Sequence, residues 1–163
     1  LAADAFGTRV QNGVKETHRT ANLRGRPAII VHGRADALVP VAFSSRPYYG
    51  MNRIVEGAAS KLTYVEVTNA QHFDAFIDNA ALPGYDTMFV PLHYYFVKAM
   101  DAMWAHLTLN VPLPPAQVVR TVPRGGTPGQ APAITAANVP PILAAPPAAN
   151  QITFAGNTLT IPD

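Results

Sequence analysis

An aspartate and a histidine follow two apolar segments of this chain, and together they could carry acid–base chemistry. Asp36 lies in the run HGRADALVP, residues 32–40, directly after the apolar residues 27–31. His72 lies in the run NAQHF, residues 69–73, shortly after the alternating residues 61–67. A histidine can take a proton from a serine hydroxyl, and a carboxylate can hold the imidazole in the required tautomer. The pair therefore predicts two members of a Ser-His-Asp triad.

The third member of such a triad has no candidate in this sequence. Acid first and histidine second is the chain order that follows the serine in α/β-hydrolases, but no Gly-x-Ser-x-Gly turn precedes the pair. The serines are Ser44, Ser45 and Ser60, all after Asp36, and Ser44 or Ser45 is better placed to cap a helix. We expect the start at Leu1 to be a cut in a longer chain, with the nucleophile and the oxyanion hole upstream of it.

A strand-helix-strand pattern predicts how the acid and the histidine meet. Residues 27–31 predict a strand buried on both faces, and residues 61–67 predict a second strand. A helix is predicted between them, from Ser44 or Ser45 to Gly57. Such a βαβ unit has parallel strands, about 5 Å apart, so Asp36 and His72 should follow strand ends at one edge of the sheet. The fold class is predicted to be α/β.

The rest of the chain predicts a long helix and a proline-rich tail. The helix should run from Pro91 to about Leu107 and pack on the sheet through Leu92, Phe96, Met100, Met103, Trp104 and Leu107. From Val111, frequent prolines predict an extended surface segment that ends in a small β-hairpin around residues 152–161. Residues 1–26 suggest a partly helical lead-in. We therefore expect an α/β portion over residues 1–110 and a tail over residues 111–163.

Other polar residues have simpler explanations than catalysis. Asp74 and Asp78 are rival carboxylates, but they follow His72 and are expected to be solvated or to cap a helix. His32 is expected to be a hydrogen-bonded histidine at the base of the Asp36 loop. The remaining histidines lack the spacing of a metal pair: His18, His93 and His106. We predict no metal site and no organic cofactor.

The composition of the chain indicates which classes of partner to expect. The 163 residues suit one core, and a net charge of +2 gives no reason to expect a nucleic-acid or membrane partner. The chain is 48% hydrophobic but only 13% charged, which is low for a freestanding domain. Some of its apolar surface is therefore expected to pack against another part of the same fold.

Besides Asp36 and His72, the sequence contains several longer runs that resemble those of a known protein family. They are HGRADALVP (32–40), SRP (45–47), NR-x-VEGAAS (52–60), VTNAQHFDAF (67–76), LPGYDT (82–87) and PP-x-QVVRT (114–121). With these runs the chain resembles the bacterial D-(−)-3-hydroxybutyrate oligomer hydrolases over nearly its whole length.

This resemblance implies an α/β-hydrolase fold and a serine esterase that cleaves short 3-hydroxybutyrate oligomers, breakdown products of a bacterial storage polyester. Its substrate would be a small ester, and its partner would be the missing N-terminal part of the same protein. Family members are longer, with the serine upstream, and the resemblance suggests a secreted or periplasmic protein. Two alternatives stay open: another serine hydrolase, such as a thioesterase or peptidase-like relative, or a non-catalytic fragment active only with its upstream half.

Overall fold

A three-stranded parallel sheet organises the molecule, whose computed structural model describes residues 4–163. Its strands are β1 (Ala28–Gly33), β2 (Leu62–Val67) and β3 (Gln117–Val119), in the order β1-β2-β3. The helices are α1 (Ala5–Glu16), α2 (Ser45–Glu56), α3 (Tyr85–Met88) and α4 (Leu92–Leu109). A separate antiparallel hairpin is formed by β4 (Thr153–Ala155) and β5 (Thr158–Thr160). Residues 1–3 of the expected lead-in lie outside the described residues.

The predicted βαβ unit is confirmed as β1-α2-β2. The two strands pair in parallel along their full length, from Ala28 opposite Leu62 to Gly33 opposite Val67. Both strands therefore end at the same level, and the loops that follow them leave the sheet side by side. The α/β class, the parallel sheet and the terminal hairpin agree with the prediction from sequence.

The proline-rich tail does more than cover the surface, because it supplies β3. Residues 117–119 pair in parallel with residues 65–67 of β2, which makes α4 the crossover of a second βαβ unit. All three residues of β3 are buried. The prolines hid this strand in the sequence, since the apolar run is only three residues long.

Two apolar clusters fill the faces of the sheet. One cluster joins the sheet to α4 through Val65, Val67, Tyr95 and Val119. The other joins Leu62, Tyr64 and Val118 of the sheet to Tyr49 of α2 and Leu159 of the C-terminal hairpin. Because β2 contributes to both and has a strand on each side, all six of its residues are buried.

The predicted sheet-facing side of α4 is wrong in part. Tyr95 and Ala99 are the buried residues of this helix, and the Tyr95 hydroxyl donates a hydrogen bond to the Pro140 carbonyl at 2.9 Å. Most of the residues expected on the sheet are exposed instead: Phe96 (51%), Met100 (57%), Trp104 (71%) and Leu107 (66%). The helix is apolar around most of its circumference, so the spacing alone could not choose the face.

β1 also differs from its predicted environment. The sequence predicts a strand buried on both faces, but residues 28–32 are only half-buried. In the described part of the chain β1 pairs with β2 alone, which leaves one backbone edge without a neighbouring strand. An unpaired edge with Ile and Val side chains is a surface on which another strand can pair.

Gln117 gives a direct test of how the tail is held. Its side chain is buried, donates to the carbonyls of Pro115 (3.0 Å) and Leu143 (2.8 Å), and accepts from the Leu143 amide (2.9 Å). Gln117→Leu should leave the Leu143 groups unpaired, a cost of about 1–3 kcal/mol. We expect the Leu143 amide to exchange about ten- to a hundredfold faster in hydrogen–deuterium exchange. The matched control is Gln130→Leu at an exposed position, and equal exchange in both variants would contradict the role given to Gln117.

Candidate active site

Two loops meet at the carboxyl edge of the sheet. In the loop after β1, the Arg34 amide donates to the carbonyl of Val67 at the end of β2 (2.7 Å), and the Ala35 amide donates to the carbonyl of Ala70 in the loop after β2 (3.0 Å). Gly33 makes this approach possible, since a Cβ there would lie 2.6 Å from the Ala70 carbonyl carbon. The two loops are thus held in backbone contact.

This contact brings Asp36 and His72 together. Asp36 Oδ2 lies 2.8 Å from His72 Nδ1, and the Asp36 side chain is 3% exposed. The His72 side chain is 32% exposed, so its Nε2 is the imidazole atom left to face a reacting group. A carboxylate on Nδ1 with a free Nε2 is the arrangement that lets histidine act as a general base.

The Asp36 carboxylate is held from both of its oxygens. Oδ1 accepts the amides of Leu38 (2.9 Å) and Val39 (2.8 Å), while Oδ2 faces His72 and also His32 Nε2 at 3.2 Å. Burial opposes ionisation, but hydrogen bonds from these two amides and two histidines outweigh it and hold the pKa of Asp36 below its ordinary value. Asp36 is therefore a fixed anion beside His72.

His32 is the first residue of a buried polar chain that the sequence did not predict. It lies at the base of the Asp36 loop as expected, but its Nδ1 is 2.8 Å from Ser45 Oγ. Ser45 donates to the Tyr64 hydroxyl (2.9 Å), and Tyr64 donates to Glu66 Oε2 (2.6 Å). Of the two serines predicted as the N-cap of α2, Ser45 is not the cap, because it is the first residue of the helix and its hydroxyl donates to Tyr64.

Glu66 is the last residue of this series of hydrogen bonds, and it is a buried anion held by two arginines. Arg46 donates to both carboxylate oxygens, at 2.9 Å from Nε and 2.6 Å from Nη2, and Arg34 Nε also donates to Glu66. Arg34 additionally donates from Nη2 to the Pro162 carbonyl at 2.7 Å. In the sequence Glu66 is one polar residue of an alternating strand, so the pattern carried no signal of its burial.

The other candidates lie elsewhere. The Asp74 carboxylate accepts hydrogen bonds from the amides of Leu92 (2.8 Å) and His93 (2.7 Å). It therefore caps α4, one of the two roles predicted for it. Asp78 pairs with Arg124 at 3.1 Å on the surface. Ser44 stands at the N-cap position of α2, but its hydroxyl donates to the Pro40 carbonyl (2.8 Å) and caps no helix amide.

No serine hydroxyl is hydrogen-bonded to His72 in the described part of the chain. Ser45 is 5% exposed and adjoins His32 rather than His72, while Ser60 donates to Asn52 at 2.5 Å. Over residues 4–163 there is also no group of three or more His, Cys, Asp and Glu side chains placed to hold a metal ion. No helix within the same range is both long and apolar enough to cross a membrane.

An apolar cavity of about 710 Å³ opens beside His72. It runs between the unpaired edge of β1 and the exposed side of α4, and its lining includes Ile29, Val31, Phe73, Phe96 and Met100. These are the surfaces that the fold leaves uncovered next to the dyad.

The family model described as 3HB-oligomer hydrolase (3HBOH) matches residues 1–163, the whole chain. The chain belongs to the 3HB-oligomer hydrolase family. It is 63% identical over 161 residues to the D-(−)-3-hydroxybutyrate oligomer hydrolase of Paracidovorax citrulli, covering 98% of this chain and 23% of the relative. The corresponding proteins of Azoarcus sp. and Cupriavidus necator are 62% and 54% identical, over 159 and 162 residues. These two alignments cover 98% and 99% of this chain and 23% and 22% of the relatives.

Relatives of the 3HB-oligomer hydrolase family are much longer than the 163 residues of this chain. The chain spans less than a quarter of the length of the curated relatives that it matches. No solved structure matches it. The pair of Asp36 and His72 therefore lies in a chain that matches a small share of each relative's length.

Proposed function

We propose that this chain is the C-terminal part of an α/β-hydrolase that cleaves 3-hydroxybutyrate dimers and oligomers as a serine esterase. The observation that carries the proposal is the 2.8 Å contact between buried Asp36 and His72 Nδ1, in a chain that belongs to this hydrolase family. An imidazole so held needs only a serine at Nε2 to complete a Ser-His-Asp triad.

His72 would move protons in both halves of the reaction. Its Nε2 would take the proton of the serine hydroxyl as the oxygen attacks the ester carbonyl, and would then give that proton to the leaving alkoxide. A water molecule would be activated by the same atom to release the acyl group. Asp36, ionised and buried, would hold Nδ1–H and stabilise each transient imidazolium.

The serine would come from the upstream part of the same protein, and the uncovered surfaces support this. The unpaired edge of β1 offers backbone groups to a further parallel strand, and the exposed side of α4 carries Phe96, Met100 and Trp104. Both surfaces border the cavity beside His72. A segment docked there would bury apolar side chains and bring its own residues next to the dyad.

Substrate class is tested on the full-length protein. We expect it to hydrolyse the 3-hydroxybutyrate dimer in preference to a thioester and a peptide substrate of similar size. A fluorophosphonate should stop the reaction by labelling one serine upstream of this chain, located by mass spectrometry. Failure to turn over the dimer would contradict the substrate, and labelling of Ser45 would contradict the location of the nucleophile.

The split of the triad is tested by reconstitution. The 163-residue chain alone should show no turnover of the dimer, and added upstream segment should restore it. Met100→Glu in the α4 surface should prevent restoration, because a charge would be buried on docking. Thr108→Glu, at an exposed polar position of the same helix, is the matched control. Turnover of the dimer by the 163-residue chain alone would contradict the hypothesis that the nucleophilic serine lies outside it.

Location in the cell is a further part of the proposal. The family resemblance implies a bacterial protein that is secreted or periplasmic. Cell fractionation with an antibody against this chain tests it, and recovery in the cytoplasm alone would contradict it.

A further inference from the structure

A chain of hydrogen bonds joins the buried carboxylates of Glu66 and Asp36 through Tyr64, Ser45 and His32. Its links are 2.6, 2.9 and 2.8 Å from Glu66 to His32 Nδ1, and 3.2 Å from His32 Nε2 to Asp36 Oδ2. A hydroxyl has one proton to donate and a carboxylate has none. The direction of every link can therefore be deduced from its ends.

The direction is first fixed at Glu66. Burial opposes ionisation, but hydrogen bonds from Arg46, Tyr64 and Arg34 outweigh it and hold the pKa of Glu66 below its ordinary value. Burial and the neighbouring Glu66 carboxylate raise the pKa of Tyr64, which therefore keeps its proton. The Tyr64 hydroxyl must donate this proton to Glu66, since an ionised carboxylate can only accept.

The same reasoning passes along to His32. With its proton given to Glu66, the Tyr64 oxygen accepts from Ser45, so the Ser45 hydroxyl donates to Tyr64. Ser45 then has no proton left for His32, and its oxygen can only accept from His32 Nδ1. His32 Nδ1 must therefore carry a hydrogen.

The other imidazole nitrogen of His32 faces Asp36 Oδ2, an acceptor that is shared with His72. A hydrogen bond there requires a hydrogen on Nε2 as well. We propose that His32 is an imidazolium cation that positions the Asp36 carboxylate and opposes protonation of His72. This inference rests on the proposed function, in which His72 must be neutral to accept a proton.

The electrostatic consequence has a definite sign. A cation bonded to Asp36 withdraws part of the negative charge that would otherwise favour a protonated His72. Removing that cation should make His72 easier to protonate, so that activity is lost at a higher pH on the acid side. The charged and titratable groups around His32 are Asp36 and His72 on one side, and Tyr64, Glu66, Arg34 and Arg46 on the other. Around His72 they are Asp36 and His32, together with Asp74 and His93, which line the same cavity.

Ser45 itself is not the nucleophile in this arrangement, although it contacts a histidine that contacts an aspartate. It is 5% exposed, and its only proton is donated to Tyr64. His32 Nδ1, which carries a hydrogen, cannot take a proton from it. The series of hydrogen bonds from Glu66 to His32 therefore affects His72 only through Asp36.

The test compares pH profiles of kcat/KM for the full-length enzyme on the 3-hydroxybutyrate dimer. His32→Gln keeps an N–H donor but no charge, and should move the acid limb to higher pH by about one unit. Tyr64→Phe should produce the same shift, although it touches neither Asp36 nor His72. Without the tyrosine hydroxyl, Ser45 can donate to His32 Nδ1, and His32 can be neutral while still donating to Asp36.

If Tyr64→Phe does not fold, Ser45→Ala replaces it in the experiment. This variant removes the acceptor of the His32 Nδ1–H group and should also move the acid limb of the pH profile to higher pH. Tyr49→Phe is the matched control, since Tyr49 is a buried tyrosine whose ring packs 5.8 Å from that of Tyr64 but whose hydroxyl is outside the chain. The proposal is overturned if the acid limb of the pH profile does not move in His32→Gln. It is also overturned if this limb moves in neither Tyr64→Phe nor Ser45→Ala, or if it moves equally in Tyr49→Phe.

A second readout separates this inference from the proposed function. Diethyl pyrocarbonate reacts with neutral imidazole, so its rate of modification of His72, followed by mass spectrometry against pH, reports the same protonation without substrate. The midpoint should rise in His32→Gln and Tyr64→Phe alike. If the wild type fails to cleave the dimer, the proposed function is wrong, and an unmoved midpoint would independently refute the role of His32.

Discussion

Replacing His72 by asparagine in the full-length hydrolase is expected to lower kcat for the 3-hydroxybutyrate dimer by about 10⁴- to 10⁶-fold. An amide cannot take the serine proton, so the barrier rises although the substrate still binds. KM should stay within a few-fold of the wild type. Steady-state kinetics with purified protein measures both constants.

Asp36→Asn is the companion change and should lower kcat by about 10⁴-fold. The amide would keep the loop bonds but could present an N–H to His72 Nδ1, which favours the wrong tautomer. His18→Asn, at an exposed position in the segment after α1, is the matched control and should leave kcat unchanged. Near-wild-type kcat in either dyad variant would remove that residue from the mechanism.

Gly33→Ala is expected to have the next largest effect, because it strikes the contact between the two loops. The added Cβ would lie 2.6 Å from the Ala70 carbonyl carbon and 3.1 Å from the Gln71 amide nitrogen. These are backbone atoms, so the loops must move apart and carry His72 away from Asp36. A displacement of about 1 Å in a reacting group can cost about 10²-fold in rate, and we expect kcat to fall by that factor.

Gly50→Ala provides the comparison for Gly33→Ala. Gly50 lies within α2, and the nearest atom to an added Cβ is Leu159 Cδ2 at 4.0 Å. This variant should keep full activity and slightly favour the helix. Equal kcat values for the two alanine variants would show that the loop contact does not set the dyad geometry.

The sequence predicted the elements that rest on local patterns. Apolar runs, helix signals and turn residues located β1, α2, β2 and the terminal hairpin to within a few residues. It did not predict β3, whose three residues are surrounded by prolines. It was also wrong in part about the buried side of α4, because Phe96 and Met100 follow a helical period as well as the buried Tyr95 and Ala99 do.

For the candidate site, the sequence predicted Asp36 and His72 but not the buried residues that bond to them through His32. Asp36 and His72 stand in loops after strands, where polar residues of this kind attract attention. Ser45, Tyr64 and Glu66 lie within a helix and a strand, and their hydrogen bonds join residues up to 32 positions apart. Periodicity reports which face a residue occupies but not which distant side chain it meets.

The bond from Arg34 to the Pro162 carbonyl has a consequence for synthesis on the ribosome. These residues are 128 positions apart, and Arg34 also holds Glu66 beside the dyad. Chains emerge N-terminus first, so the loops that carry Asp36 and His72 leave the ribosome well before this anchor exists. β3, which completes the sheet on the far side of β2, is also made later than both loops. The Arg34 contact and the third strand are therefore expected to form only after residues 117–162 have left the ribosome, well after the two loops have emerged.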